Sequence, residues 1–221
     1  MDPFIHFIYL QCANLCHQLP DRTLVLAERA LPLCARCTGI YTGVFFGLAR
    51  LIIKTGLRGG WIPDRRYLIF LIFSGVCFFL DVLAGIYVET NLSRILSGFM
   101  FGFAAISAAW SVMNKNFLRT DRQILLPLSK GDVLSVLMGL SLTLIFVILL
   151  PQFIFVYYLF FVSETLGVVI IYGCANAVML LAIFDRFRNR GYQYRQYAIL
   201  FVSGLMCFVF EMAAINYFSI I

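Results

Sequence analysis

Cys16, His17, Cys34 and Cys37 place four soft metal ligands within 22 residues, in the stretches CHQLPDRT and LPLCARCTGIYTG. Of the remaining cysteines only Cys12 lies nearby; Cys77, Cys174 and Cys207 fall inside apolar runs, where a thiol acts as a small packing group. Thiolates bind soft metals and attack disulfides, and the start of a helix at Cys34 and Cys37 would favour the thiolate form. Three cysteines and a histidine can close a tetrahedral zinc site. Against that, Cys16 and His17 are adjacent and would both have to reach one ion, and the spacing lacks the second CxxC of a zinc ribbon. A second reading is a redox pair in which Cys34 and Cys37 cycle between dithiol and disulfide, with Cys12 and Cys16 at i, i+4 as a further pair. A third is an inert disulfide from Cys16 to one member of the CxxC pair, which leaves His17 as a hydrogen-bonded surface residue. The run from Cys12 to His17 is one residue longer than the covalent haem motif, and the scarcity of histidine, with only 2 in the chain, argues against haem.

The elements that would carry these residues belong in a bilayer. A chain of 221 residues with 62% hydrophobic and 13% charged residues lies far from the composition of soluble domains and reads as a polytopic membrane protein, with little room for a soluble catalytic domain. Runs of about 20 apolar residues give six candidate spans: Thr38 to Ile53, Tyr67 to Val88, Leu92 to Val112, Val133 to Leu150, Phe153 to Phe184 and Tyr197 to Phe218. The first is short unless the CxxC residues begin it. The fifth would reach about 48 Å as one helix, so it either tilts or contributes Phe153 to Phe161 as an interfacial or re-entrant piece after Pro151. The runs are apolar all round rather than alternating, so the expected fold is an all-α transmembrane helix bundle and not a barrel.

Lysine and arginine set the expected orientation. The net charge is +6, and thirteen of the 17 basic residues lie in three alternate connections: Arg50, Lys54, Arg58, Arg65 and Arg66; Lys115, Arg119, Arg122 and Lys130; Arg186, Arg188, Arg190 and Arg195. The connections between them carry none. The positive-inside rule makes the basic connections cytoplasmic, puts both termini and the Cys/His segment outside, and removes nucleic acid as the meaning of the positive charge. Residues 1–15 lack a basic leader region and a small-residue cleavage site and are too short to span, so an interfacial helix on the outer surface is expected. The organisation expected is a single domain, with residues 1–37 as an extracytoplasmic interfacial segment and residues 38–221 as the bundle of a multi-pass cell-membrane protein.

CHQLPDRT, then CARCTGIYTG, then the run from Asn91 to Gly102 (NLSRILSGFMFG) together resemble an uncharacterised family of prokaryotic integral membrane proteins, whose signature is roughly CHQxPxRS, CARCTGxYxG and NxxRxxxGxxxG. The resemblance covers about residues 16–112; Thr23 replaces the usual serine and Cys12 lies outside the pattern. It implies that Cys16, His17, Cys34, Cys37, Asp81, Asn91 and Arg94 belong to one site, and it brings no activity. Charges within spans are costly and usually face a partner or water. Asp81, Arg94 and Glu211 fall toward the same side as the cysteines, and Glu164 near the middle of the fifth run. Asp81 with Arg94 reads equally as a pair locking a helix hairpin or as part of a ligand site that also takes in Asn91 and Glu211. The small residues in GIYTG and SGFMFG are patterns for close helix packing.

Two function classes follow, with a third behind them. One is a membrane protein with an outward Cys/His centre for zinc or another soft metal. The other is a membrane thiol–disulfide oxidoreductase that uses Cys34 and Cys37 and passes electrons to a quinone in the bundle. The third is transport of a small molecule or ion with no role for the cysteines. The one partner expected on composition alone is the lipid bilayer.

Overall fold

The structure, a computed structural model, describes residues 3–13, 15–16, 18–55, 61–83, 90–117, 124–126, 128–183 and 202–206. In chain order the elements are α1 (Pro3–Ala13), a hairpin of β1 (Thr23–Leu26) and β2 (Arg29–Cys34), α2 (Ala35–Thr55), β3 (Trp61–Pro63), α3 (Arg65–Leu83), α4 (Asn91–Phe117), β4 (Ile124–Leu126), α5 (Lys130–Leu149) and α6 (Ile154–Ile183). Five of them, α2 to α6, are long and apolar enough to cross a membrane. The chain is a multi-pass, predominantly helical bundle in a lipid environment. The sixth expected span, Tyr197 to Phe218, lies outside the described residues apart from 202–206, which are helical.

The first span begins inside the CxxC motif: α2 starts at Ala35, so Cys37 and Thr38 belong to its first turn. The fifth run is one continuous helix of 30 residues. It needs no break because Pro151 precedes it, in the turn after α5, where a missing N–H costs nothing.

α2 and α4 form the axis of the bundle. Gly39 and Gly43 of α2 meet Gly98 and Gly102 of α4, and a methyl group on any of the four would collide with a carbonyl of the opposite helix: that of Ile95, Phe99, Arg36 or Ile40, respectively. In lipid there is little hydrophobic gain in bringing two spans together, so association depends on such close backbone approach. α3 lies on the outside of α4 and shows most of its apolar surface, as in Ile72, Phe73, Phe79 and Leu80, which is the surface that lipid covers. At the far end of α2, Asp132 of α5 takes Arg50 Nε at 3.0 Å and Lys54 Nζ at 2.6 Å, and it also closes a capping box with Ser129. The connections after α2 and after α4 meet beside this ion pair through a short parallel pairing of β3 with β4.

The hairpin of residues 23–34 is a departure from the all-helical expectation for the segment before the first span. Its strands pair antiparallel, Val25 with Ala30 and Leu26 with Arg29, and resume at Thr23 with Cys34 after a register shift. Leu24, Leu26, Leu31 and Leu33 are buried against Ile8, Tyr157 and Phe160, so the hairpin roofs one end of α6 and traps α1 beside it. The turn residues Ala27 and Glu28 both have positive φ, 48° and 61°. That is the backbone of a tight hairpin turn, which normally selects Asn-Gly; here two residues with Cβ atoms hold it at about 1–2 kcal/mol each.

Candidate metal centre

The first turn of α2 reads Ala-Arg-Cys-Thr and follows directly on Cys34, the last residue of β2. Cys34 therefore ends a strand while Cys37 sits one helical turn on, and both face Cys16, which the loop after α1 brings in. The three sulfur atoms lie within 4.8 Å of one another. Cys16 itself is buried, and Cys34 and Cys37 are half-buried.

All three are free thiols, as are Cys12 and Cys77, so the disulfide expected as one alternative is not formed in this structure. The backbone N–H of Cys34 donates to Cys16 Sγ at 3.3 Å. Hydrogen bonds from the Cys34 and Cys37 thiols lower the Cys16 thiol from its ordinary range, against the opposing effect of burial. The Cys34 thiol is raised, chiefly because it donates to Cys16. Cys12 is different: it lies one turn before Cys16 and is pushed up to about 12 by burial and by the negative charges of Glu164 and Cys16. The three sulfurs, within 4.8 Å of one another, are a set of donors already turned toward a common point.

The loop that delivers Cys16 is held by its neighbours. The Cys16 N–H donates to the Cys12 carbonyl at 3.0 Å, continuing the end of α1. Gln18, with φ of 47°, sends its side-chain amide to the carbonyls of Tyr9 at 3.0 Å and Pro32 at 2.7 Å, tying α1 to β2 across the cluster. His17, expected as the fourth ligand, lies outside the described residues, as does Glu211.

The acidic and basic residues expected to join the site are placed differently from the expectation. Asp81 does not pair with Arg94. Its cation is Arg36, inside the CxxC motif, whose Nε donates to Asp81 Oδ2 at 2.8 Å and whose Nη2 donates to the Asp81 carbonyl at 2.9 Å. From α4 it is Ser97 that reaches Asp81, at 3.0 Å. The reason is helical phase: Arg94 Nη1 turns back along its own first turn to Asn91 Oδ1 at 3.1 Å, whereas Ser97, three residues on, faces α3. Arg94 is buried nonetheless. Asp81, Asn91 and Arg94 thus stand near the same end of the bundle as the thiols, with Asp81 bonded to Arg36 and Ser97 rather than to a sulfur.

Two participants were not expected from the sequence. Arg36 is one, hidden as the variable position of a CxxC. Glu164 is the other: it is wholly buried, and its Oε1 lies 2.6 Å from Thr38 Oγ1, on the residue next to Cys37. Thr38 Oγ1 is also 3.2 Å from the Cys34 carbonyl, and a single hydroxyl proton serves only one of these acceptors well. Glu164 Oε2 has no hydrogen-bond partner among the described residues. The signal for Glu164 was its presence as a lone acid in a 30-residue apolar helix, which marks a buried partner without naming it.

Comparisons with known proteins cover this end of the molecule. Residues 16–108 match the family described as "Predicted membrane protein (DUF2085)". An uncharacterised protein of Methanocaldococcus jannaschii is 31% identical over 99 residues, which are 45% of this chain and 64% of that protein. An uncharacterised protein of Methanothermobacter thermautotrophicus is 48% identical over 31 residues, 14% of this chain and 28% of that protein. The chain therefore spans less than two thirds of either relative. No solved structure matches. The matched segment contains the three thiols, Arg36, Asp81 and the facing glycines of α2 and α4, and over this segment the chain is similar to an uncharacterised family of membrane proteins.

Proposed function

We propose that this chain is a membrane protein whose Cys16, Cys34 and Cys37 bind zinc or another soft metal ion on the extracytoplasmic face, with His17 as the fourth ligand. The observation that carries this reading is the convergence of three free sulfurs, from a loop, a strand end and a helix, to within 4.8 Å of one another. Zinc–sulfur bonds of about 2.3 Å in a tetrahedral shell put sulfurs about 3.8 Å apart, so small side-chain movements suffice to close the shell. The donor set is soft, which favours zinc or copper(I) over magnesium or calcium. Asp81, Asn91 and Arg94, near the same end of the bundle, supply a polar margin for a ligand rather than metal bonds.

The reading of the membrane side rests on the two ends of α2. The thiols lie at its first turn and Arg50 and Lys54 within its last two turns, about 20–25 Å along the axis from Cys37. The pairing of β3 with β4 supports placing the two basic connections on one side, which the positive-inside rule makes cytoplasmic.

Elemental analysis of the purified chain, with a count of free thiols after denaturation and chelation, tests the reading. One equivalent of metal is expected, lost in each of Cys16→Ser, Cys34→Ser and Cys37→Ser and kept in Cys12→Ser, since an incomplete shell loses affinity steeply. The lowered Cys16 thiol favours one alternative, because an activated thiolate also attacks disulfides. Protein without metal, holding a reducible bond between Cys34 and Cys37, would replace the metal centre with a thiol–disulfide oxidoreductase: two thiols lose two electrons and two protons, and a quinone becomes the quinol.

A further inference from the structure

Beside the thiol cluster, at the same end of the bundle, lies a cleft of about 740 Å³ lined by Ile5 and Tyr9 of α1, Glu28 and Arg29 of the hairpin, and Tyr157 and Tyr158 of α6. We propose that this cleft binds the head group of an amine-bearing phospholipid, with its phosphate on Arg29 and its ammonium between Glu28 and the tyrosine rings. This site is independent of the metal centre.

The charge pattern comes first. A cation and an anion stand on adjacent residues, both exposed, so the wall matches a zwitterion better than a simple anion or cation. The guanidinium is held in place: it lies 5.8 Å from the centre of the Tyr157 ring, and Nη1 donates to Tyr158 Oη at 3.3 Å. One N–H of five is used there, which leaves others for a phosphate. Tyr157 is buried beneath the guanidinium, and its ring meets that of Tyr158 edge-on at 5.3 Å, which leaves the exposed ring of Tyr158 to attract an ammonium group.

Position in the membrane comes second. The hairpin turn is pinned to the turn between α5 and α6 by the Ala27 N–H, which donates to the Pro151 carbonyl at 2.6 Å. The pinning, and the positive φ of Ala27 and Glu28, hold Glu28 and Arg29 at the level where α6 begins its apolar span. Tyrosines in a first helical turn mark the head-group layer. Below them Leu159, Val162 and Leu166 are all exposed and follow one another at i, i+3 and i+7, a single stripe along which acyl chains would run. The cleft volume falls in the range of ordinary small-molecule sites.

The test uses the full chain in nanodiscs of phosphatidylcholine doped with equal amounts of phosphatidylethanolamine and phosphatidylglycerol, with retained lipid identified by native mass spectrometry. The parent should retain phosphatidylethanolamine above its share in the disc. Arg29→Gln should reduce retention of both doped lipids about tenfold, the effect of one charged hydrogen bond of ordinary strength. Glu28→Gln should leave retention but equalise the two, while Arg22→Gln, an exposed arginine outside the cleft, should change nothing. Tyr158→Phe removes only the hydroxyl that holds Arg29 and should give a smaller loss than Arg29→Gln, which provides a reading should a hairpin variant fail to fold. Retention in the bulk proportions, or equal loss in Arg22→Gln, overturns the proposal. Displacement of the lipid by an equal concentration of soluble phosphoethanolamine would assign the cleft to a soluble phosphate ester instead.

Discussion

Replacing Gly102 with alanine puts a methyl group into the carbonyl of Ile40, with the carbonyl carbon 2.8 Å and the Cα 2.9 Å from the new Cβ. Both sides of this contact are main chain, so no rotamer can relieve it, and α2 and α4 must separate along their whole crossing. Overpacking of a core costs about 1–3 kcal/mol, and a purely backbone collision belongs at the upper end, near 3 kcal/mol. The usual gain of alanine over glycine in a helix offsets little of this, because isolated spans in lipid are already helical. A net loss of about 2–3 kcal/mol is expected, a fall of about 30- to 160-fold in the folded-to-unfolded ratio at fixed denaturant. Gly75→Ala is the matched control: nothing lies within 4 Å of its new methyl, and the expected change is within about 0.5 kcal/mol. Reversible unfolding of the purified chain in graded detergent mixtures reads both. Equal stability of Gly102→Ala and Gly75→Ala would refute the close approach of α2 and α4 and, with it, the placement of the first turn of α2 on which the thiol cluster depends.

Three further outcomes follow from the same structure. Arg36→Gln and Asp81→Asn should each destabilise by about 2 kcal/mol, and the double change should recover part of it, because removing one partner strands the other charge; coupling of Asp81→Asn to Arg94→Gln instead would contradict the pairing with Arg36. Glu164→Ala should cost about 2–4 kcal/mol in the unfolding assay by opening a cavity beside Thr38, whereas Glu164→Gln, which fills the same space and can still meet Thr38, should cost less than about 1 kcal/mol; equal losses would refute the space-filling contact of Glu164 with Thr38. A single cysteine introduced at Asp21, in a background whose native thiols are protected, should react with an impermeant maleimide from outside intact cells and one at Asn189 only after the cytoplasm is opened; the reverse pattern overturns the orientation.

The helical plan was readable because lipid removes alternatives: an uncharged run of about 20 apolar residues has to pair its own backbone, and only a helix does so within one segment. The hairpin was not readable for equally definite reasons. Its turn is Ala27-Glu28 rather than Asn-Gly, and Pro32 lies within β2, where proline argues against a strand unless the strand is an edge. In a sheet of only two strands each strand has an open edge, so Pro32 is tolerated, and its carbonyl is put to use as the acceptor for Gln18. What holds the backbone of Ala27 and Glu28 in place is tertiary: four buried leucines beneath the strands and the Pro151 carbonyl beside the turn.

The candidate site shows the same division between residue types and partners. Cys16, Cys34 and Cys37 announced themselves by element and spacing, since few structural roles need three thiols so close in a chain. Asp81 announced itself as a charge in a span, but the nearest basic residue along the chain, Arg94, was the wrong partner. The first turn of α2 explains why. Successive side chains on a helix point about 100° apart, so Arg36, Cys37 and Thr38 must face three directions, and Cys34 precedes them at the strand end. In the structure those directions are filled by Asp81 of α3, Cys16 of the loop after α1 and Glu164 of α6. A five-residue motif that deals its side chains to three different elements cannot be matched to them by spacing along the chain, because the partners lie 18 to 126 positions away. It also means that the thiols do not stand alone: moving α3 or α6 moves the turn that carries Cys37. On the proposed metal reading, Asp81 and Glu164 act on the cluster by positioning, so their substitutions should lower the metal content of the purified chain by degrees, where loss of any one of the three sulfurs should abolish it.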